Sequence, residues 1–462
     1  MRSLRAKHAV RIAVAIALVI LVGCADLLGI QVREVRECEG LTAQCLPGGA
    51  REVCLEDGSD WVDAPCDAAS RCDAEADGAC LAYDPIVSLS HGIAFGHACA
   101  VTAAGRLVCW GTNSHGQLGK PADGRNKADY VSFDGDVVVA QVTTGFGHTC
   151  FRTTTGDVLC FGENDAGQVD PSVASASIEL PLELTFAKGA LDVRASAKNT
   201  CAVMPADAAT PTQHVLCWGH AGDGKLGLAG AGEGPRIIEM PVGTSAPRFA
   251  EAGERHVCAL HVDGEVSCWG LGVRTGLNTE MSVEPHLVDY LTSLGGATDM
   301  SVGDTHTLAI VDGAAHCFGG NGNGQCDGRT FTDVTGGTPV ASDVLHATSG
   351  WRHSCLISED PQVPIDTPAI LCYGKADRGA LGTVDAFEVP FEHGLDPAFP
   401  VEPPWDGPIL DLTSPFEFSC ALARSNNVPT VYCWGQNESA QCGVNGDDDV
   451  LVPTKVEWPD DE

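Results

Sequence analysis

Seven times the chain writes a cysteine, an aromatic residue and a glycine in succession. The copies are Cys109-Trp110-Gly111, Cys160-Phe161-Gly162, Cys217-Trp218-Gly219, Cys268-Trp269-Gly270, Cys317-Phe318-Gly319, Cys372-Tyr373-Gly374 and Cys433-Trp434-Gly435. A repeat of about 50 residues means that one small unit stacks on its neighbours, because no single copy can bury its own apolar face. Six copies carry an earlier cysteine: Cys99, Cys150, Cys201, Cys258, Cys355 and Cys420. Most also carry a later turn of the type Gly116-Gln117-Leu118-Gly119; in the fourth copy this turn is degenerate.

The spacing inside a unit reads as a β-hairpin. If residue 102 pairs with 106, the loop between Cys99 and Cys109 is Ala103-Ala104-Gly105, and a three-residue hairpin loop wants glycine at its left-handed third position. The same arithmetic gives Thr154-Thr155-Gly156 and Val262-Asp263-Gly264, and the fifth unit offers Val311-Asp312-Gly313. In this register the two cysteines of a unit face each other across antiparallel strands, at a separation that suits a disulfide. The expected bridges are Cys99–Cys109, Cys150–Cys160, Cys201–Cys217, Cys258–Cys268, Cys355–Cys372 and Cys420–Cys433. Cys317 lacks the usual partner; Cys326 is a candidate for it, and Cys442 is the candidate unpaired thiol. Strand candidates are short, rich in Val, Leu and Thr, and no long amphipathic helix follows the leader. Radial repetition is one way to leave only short, protected sheet edges.

The pattern G-x-x-H-x-C-A-L…G-x-V-x-C-W-G-x-N-x-x-G-Q-L-G resembles the regulator-of-chromosome-condensation repeat. The resemblance runs over about residues 86–458. It implies an all-β fold, a seven-bladed β-propeller of four-stranded antiparallel blades. Later units are preceded by Pro-led strands such as Pro235-Arg236-Ile237-Ile238, whereas Asp84-Pro85-Ile86-Val87 opens the first unit directly. The spare strand from Val450 to Trp458 is therefore expected to complete the blade begun by the first unit.

His97, His148, His256 and His353 stand two residues before the first cysteine of their units, and His306 stands two before Leu308. They are read as structural, each holding its own blade through backbone, because equivalent positions lie far apart around an axis. No metal site, cofactor or catalytic set is expected. Runs such as Gly319-Gly320-Asn321-Gly322-Asn323-Gly324 lack the Lys-Ser/Thr of a phosphate loop.

The ends set the compartment. Arg2, Arg5, Lys7 and Arg11 precede the apolar run Ile12 to Val22, a secretory layout. Leu21-Val22-Gly23-Cys24 resembles a bacterial lipobox, which implies lipidation of Cys24. Eleven apolar residues are short of the ~20 that span a bilayer. Removal of residues 1–23 leaves 23 Lys and Arg against 62 Asp and Glu, a formal charge of −39. Such a surface repels phosphate backbones, so nucleic acid is excluded as a partner.

Residues 24–37 read as a linker and 38–83 as a small Cys-rich module. Cys38, Cys45, Cys54, Cys66, Cys72 and Cys80 lie among few large apolar groups, so the segment needs disulfide staples. Six cysteines allow 15 connectivities. Residues 84–458 form the propeller.

The expected function is that of a lipid-anchored, non-enzymatic, protein-binding propeller. Its place is the bacterial outer membrane or cell surface, with the periplasmic face as the alternative, and its acidity favours a basic partner. Phe387, Phe391, Phe399 and Trp405, in the long connection after the sixth unit, are the candidate partner-binding residues. The competing readings are a carbohydrate-active hydrolase or lyase, which needs carboxylates converging in the central channel, and a passive envelope component.

Overall fold

The computed structural model describes residues 84–133, 135–208, 210–227, 232, 234–276, 281–326, 332–359, 368–383 and 399–458. Before these it describes only the strands Ala43–Cys45, Arg51–Cys54, Trp61–Asp63, Ser70–Asp73 and Ala79–Ala82. The chain divides into two units, Met1–Tyr83 and Asp84–Glu462. In the first, three strands pair in chain order and the last two form a hairpin whose register sets Cys72 opposite Cys80.

The second unit is seven four-stranded antiparallel sheets, each with its strands in chain order. Blade 1 runs Ile86–Leu89, His97–Thr102, Leu107–Thr112 and Arg125–Tyr130. Blade 7 runs Ile409–Thr413, Phe418–Ser425, Val428–Gly435 and Val450–Lys455. The inner strands of blades 2 to 6 are Val139–Thr144, Asp192–Ser196, Pro247–Ala252, Asp299–Val302 and Val344–Ser349. In every blade the second and third strands carry the repeat motif, and the outer strand follows the turn of the Gly-Gln-Leu-Gly type, which is degenerate in blade 4.

Ring closure differs from the expectation. The strand Val450–Lys455 pairs with Val428–Gly435 of its own blade, and blade 1 owns an outer strand in Arg125–Tyr130. Among the described residues, no strand is shared across the junction. The reason is local: each outer strand is delivered back to its third strand by the turn just before it, so every blade is complete within one repeat. The junction is made by side chains. Ile86, Leu89, Ala98, Val108 and Trp110 of blade 1 form one buried cluster with Phe418, Leu422, Val431 and Val456 of the last repeat.

The six expected cysteine pairs stand as disulfides directly opposite each other, with Cα atoms 4.1 Å apart. Cys317 is bonded to Cys326, and Cys442 is free and buried. Gly105, Gly156 and Gly264 take the left-handed conformation that the three-residue loops require. The fifth unit departs from the expectation. Val311 pairs with Ala314, so its loop is the two-residue Asp312-Gly313, both at positive φ. An Asp-Gly pair is the preferred filling of such a turn, and it accounts for the one-residue deficit in this unit.

Candidate functional site

The inner strands bring two rings of side chains to the propeller axis. Residues opposite the first cysteine of a unit include Thr143, Arg194, Glu251 and Thr348. Two residues earlier come Gln141, Asp192, Phe249, Asp299, His346 and Asp411, each opposite the residue two beyond that cysteine or its Leu308 equivalent. Side chains two apart on a strand share a face, so both rings line the channel.

Blade 1 closes this channel from within. Its Ser90 N–H donates to Cys99 O, which places Ser90 at the level of Thr143 in blade 2. From there the chain takes six residues to reach His97, against four from Thr143 to His148. The longer turn crosses the axis. The His91 carbonyl accepts from Thr143 Oγ1 at 2.6 Å and from the Thr144 N–H at 3.1 Å. Gly92 has φ +127°, and a Cβ there would stand 2.2 Å from Thr144 O and 2.4 Å from Ala195 O. Only glycine fits this crossing. Ile93 and Ala94 are fully buried behind it.

The turn carries His91 to the far side of the axis. Its Nε2 lies 3.4 Å from Asp411 Oδ1, and its ring meets the His346 ring edge-on at 5.9 Å between centroids. Asp411 Oδ2 accepts from the Leu89 N–H at 2.8 Å. His346 Nδ1 is 2.9 Å from Asp299 Oδ2, and its Nε2 is 3.2 Å from Leu412 O. Burial works against a charge on His346. The hydrogen bond and charge of Asp299, with the charge of Asp411, outweigh it and hold its pKa above the ordinary histidine value. Across the cavity, Arg194 Nε is 3.3 Å from Asp192 Oδ1 and its guanidinium sits 4.5 Å above the Phe249 ring. Burial raises the Glu251 pKa even though Arg194 opposes the shift. The cavity between these groups has a volume of about 140 Å³.

The recurring histidines have another task. His97 Nε2 lies 2.9 Å from Thr149 Oγ1 of the next blade, and that hydroxyl donates to Gln117 O at 2.8 Å. His148 and Thr200, and His306 and Ser354, repeat the arrangement onto Gln168 O and Gln325 O. His256 meets Thr307, and His353 meets Ser419. A hydroxyl has one hydrogen. Once it is given to the glutamine carbonyl, the histidine must donate from Nε2. These residues therefore bind blades 1, 2, 4, 5 and 6 to the blade that follows through a hydroxyl, where own-blade backbone contacts were expected. Burial drives the pKa of His97, His148 and His306 down to about 3 and that of His353 to about 4.

The turns between inner and second strands share one face of the propeller, and there the aromatics collect. Trp351 stacks on Phe416 with centroids 4.3 Å apart, and Phe95 and Phe146 approach the same ring at 4.7 and 6.1 Å. Arg352 lies 3.4 Å above the Trp351 ring. Phe95 is 50% exposed. A neighbouring cleft of about 320 Å³ is lined by Phe95, Phe146, Ser114, His115, Glu163 and Lys198.

Of the residues expected to bind a partner, Trp405 is placed elsewhere than in this patch. Trp405 is partly buried against Tyr432, with ring centroids 5.4 Å apart, and belongs with Ile409 to the core between blades 6 and 7. Phe399 opens the outer strand of blade 6, Phe399–Pro400, and stands opposite Cys372. Phe387, Phe391 and Cys24 lie outside the described residues. The channel groups His91, Asp299, His346 and Asp411 were not anticipated. All but His91 stand nine residues before the first cysteine of a unit or its Leu308 equivalent, a register that the repeat itself supplies.

Models of the regulator of chromosome condensation (RCC1) repeat match residues 95–117, 139–168 and 430–462. The secretion-regulating guanine nucleotide exchange factor of Bos taurus is 26% identical over 392 residues, spanning 77% of this chain and 80% of its own length. The ultraviolet-B receptor UVR8 of Arabidopsis thaliana is 25% identical over 369 residues, with 77% and 78% covered. Among solved structures, Prp20p of Saccharomyces cerevisiae superposes with a TM-score of 0.63 at 18% identity, covering 81% of this chain and 88% of that one. Human WBSCR16 gives 0.62 at 18% identity, covering 76% and 94%. The chain is a seven-bladed β-propeller, and the RCC1 repeat models match three segments of it.

Proposed function

We propose that this chain is a protein-binding propeller whose docking face is the turn-bearing face around Phe95, Phe146 and Trp351. The observation that carries the reading is the aromatic cluster beside an open cleft, with half of Phe95 exposed to water. Aromatic and arginine side chains at the centre of a patch are the usual anchors of interfaces. The channel favours this reading over a hydrolase. Carboxylates do converge there, but about 140 Å³ is well below the roughly 300–1,000 Å³ of small-molecule pockets. The relatives named as an exchange factor and a receptor support a regulatory, partner-binding role.

The finer reading is that the chain is lipid-anchored through Cys24 in a bacterial envelope and meets a basic protein partner. The basic leader, the apolar run and the acidic composition support it.

The test is capture from an envelope extract with three forms of the full chain. The unaltered chain and a Val262→Glu control, altered at an exposed hairpin tip on the opposite face, are expected to retain one common partner. Phe95→Glu is expected to lose it. A partner retained by Phe95→Glu overturns the assignment of the face. Absence of any partner, with turnover on a glycan panel, overturns the function. Cys24→Ala is expected to abolish labelling by a radioactive fatty acid, and labelling that persists removes the anchor.

A further inference from the structure

We propose that His91, His346 and Asp411 form a binding site for one divalent transition-metal ion of the zinc class, set on the propeller axis. One ligand atom from each of the three lies within 4.8 Å of the other two. His91 Nε2 and Asp411 Oδ1, at 3.4 Å, are already near the separation of about 3.3 Å that tetrahedral ligands adopt with metal bonds of about 2.0–2.1 Å.

The chemistry of the donors fixes the class of ion. Two imidazoles and a carboxylate suit zinc, cobalt, nickel or copper; magnesium and calcium want oxygen ligands. Three protein ligands leave a further position for water, as tetrahedral zinc sites with three protein ligands do.

The supporting shell is already built. A ligating histidine usually gives its second ring N–H to a carboxylate, which fixes the ring and its tautomer. His346 has such a partner in Asp299, at 2.9 Å from Nδ1. Its Nε2 faces Leu412 O, and loss of the proton there frees the lone pair for the ion. Asp411 is held by the Leu89 N–H through the oxygen that would not ligate. The His91 backbone is fixed by Thr143 and Thr144. The surroundings are acid-rich: Asp192, Glu251, Asp299 and Asp411 face one arginine, Arg194, and the two imidazoles. A divalent cation would reduce that imbalance.

The position also has a consequence for the fold. The ligands come from blades 1, 6 and 7, and among the described residues the junction between blades 7 and 1 has no shared strand. An ion there would tie the two ends of the ring together. Binding to the folded form alone raises stability as RT ln(1 + [L]/Kd).

The test uses the full chain, stripped of metal with a chelator and titrated with Co²⁺. The expected result is one equivalent bound at micromolar concentration, with a visible spectrum of nitrogen and oxygen ligands. Zn²⁺ is expected to displace the cobalt, and excess Mg²⁺ is expected not to. The melting temperature should rise with Zn²⁺. His91→Ala and His346→Gln should each lower affinity at least 100-fold, and Asp299→Asn should lower it about 10-fold. A thiolate-to-cobalt band, displacement by Mg²⁺, or affinity unchanged in the histidine variants overturns the proposal. So does the absence of saturable binding. The spectrum of the unaltered chain decides the matter even if a variant fails to fold.

Discussion

The indole of Trp458 stands edge-on to that of Trp110, with ring centroids 5.6 Å apart and planes at 85°. Trp110 Nε1 donates to Gln441 O at 2.9 Å, so one side chain joins the first and last repeats by a ring contact and a hydrogen bond. The same contact occurs within the ring, where Phe186 stands edge-on to Trp218 at 5.2 Å. Both outer residues follow an outer strand and cover the tryptophan of the next blade. Closure is thus one more blade-to-blade contact. Trp458→Ala and Phe186→Ala are expected to destabilise by similar amounts, about 2–3 kcal/mol each, with unchanged denaturant m values. A lower m for Trp458→Ala alone, measured by urea unfolding, would mean that the ring opens at this junction.

The histidine ladder makes the propeller acid-sensitive. The folded-state pKa values of His97, His148 and His306 are about 3 and that of His353 about 4, against 6.5 for the free side chain. Between those limits the unfolded chain binds more protons than the folded one, so stability is fully present above about pH 6.5 and falls as the pH drops toward 3. The melting temperature is expected to decline steadily below pH 6.5. His306→Gln should flatten part of that decline. Thr149→Val tests the relay itself, since it strands His97 Nε2 and Gln117 O, and should cost about 1–3 kcal/mol at neutral pH. An unchanged pH profile in His306→Gln would remove the histidines as its cause.

The blade core was legible because its residues are tied to a covalent pattern. Cysteines at fixed spacing set the hairpin register, and the register set which glycines turn. Ring closure was misread for the opposite reason. The outer strands share no motif, and a Pro-led start looks the same at the beginning of a blade as at its end. The channel site was hidden differently. Asp299, His346 and Asp411 occupy one repeat position, but the other blades put Ser88, Gln141, Asp192 and Phe249 there, so no pattern marks it. His91 sits in a turn two residues longer than its equivalent in blade 2, and only the fold shows that the extra length crosses the axis.

Peptide mapping of the unreduced chain checks the disulfide pattern. Seven linked pairs are expected from the repeats, each joining cysteines of one unit, with Cys317 linked to Cys326. Cys442 is buried, and burial raises its thiol pKa well above the ordinary value. It should resist alkylation in the native protein and react in denaturant. Loss of the Cys317–Cys326 bridge by a double Ser substitution should cost about 2–3 kcal/mol on the chain-entropy model. A link from Cys442 to another repeat would break the register on which every blade assignment rests.

Asp304 is expected to oppose the histidines. It lies in the turn before His306, 2% exposed, and its Oδ1 has no hydrogen-bond partner. Burial, with the charge of Glu254, raises its pKa to about 7 although Arg274, Lys225 and Arg352 pull the other way. A raised carboxyl pKa means that the folded state holds the proton more tightly than the unfolded one. Stability from this group is therefore fully present below about pH 4, and it is lost as the pH climbs to about 7. Asp304→Asn keeps the shape and removes the charge. It should leave the melting temperature unchanged near pH 4 and raise it above pH 7, with a gain of up to about 4 kcal/mol if the whole shift is realised. Because the histidines are common to both proteins, the difference between the two melting curves isolates Asp304. A difference independent of pH would show that the carboxylate stays charged throughout, paired with the nearby cations.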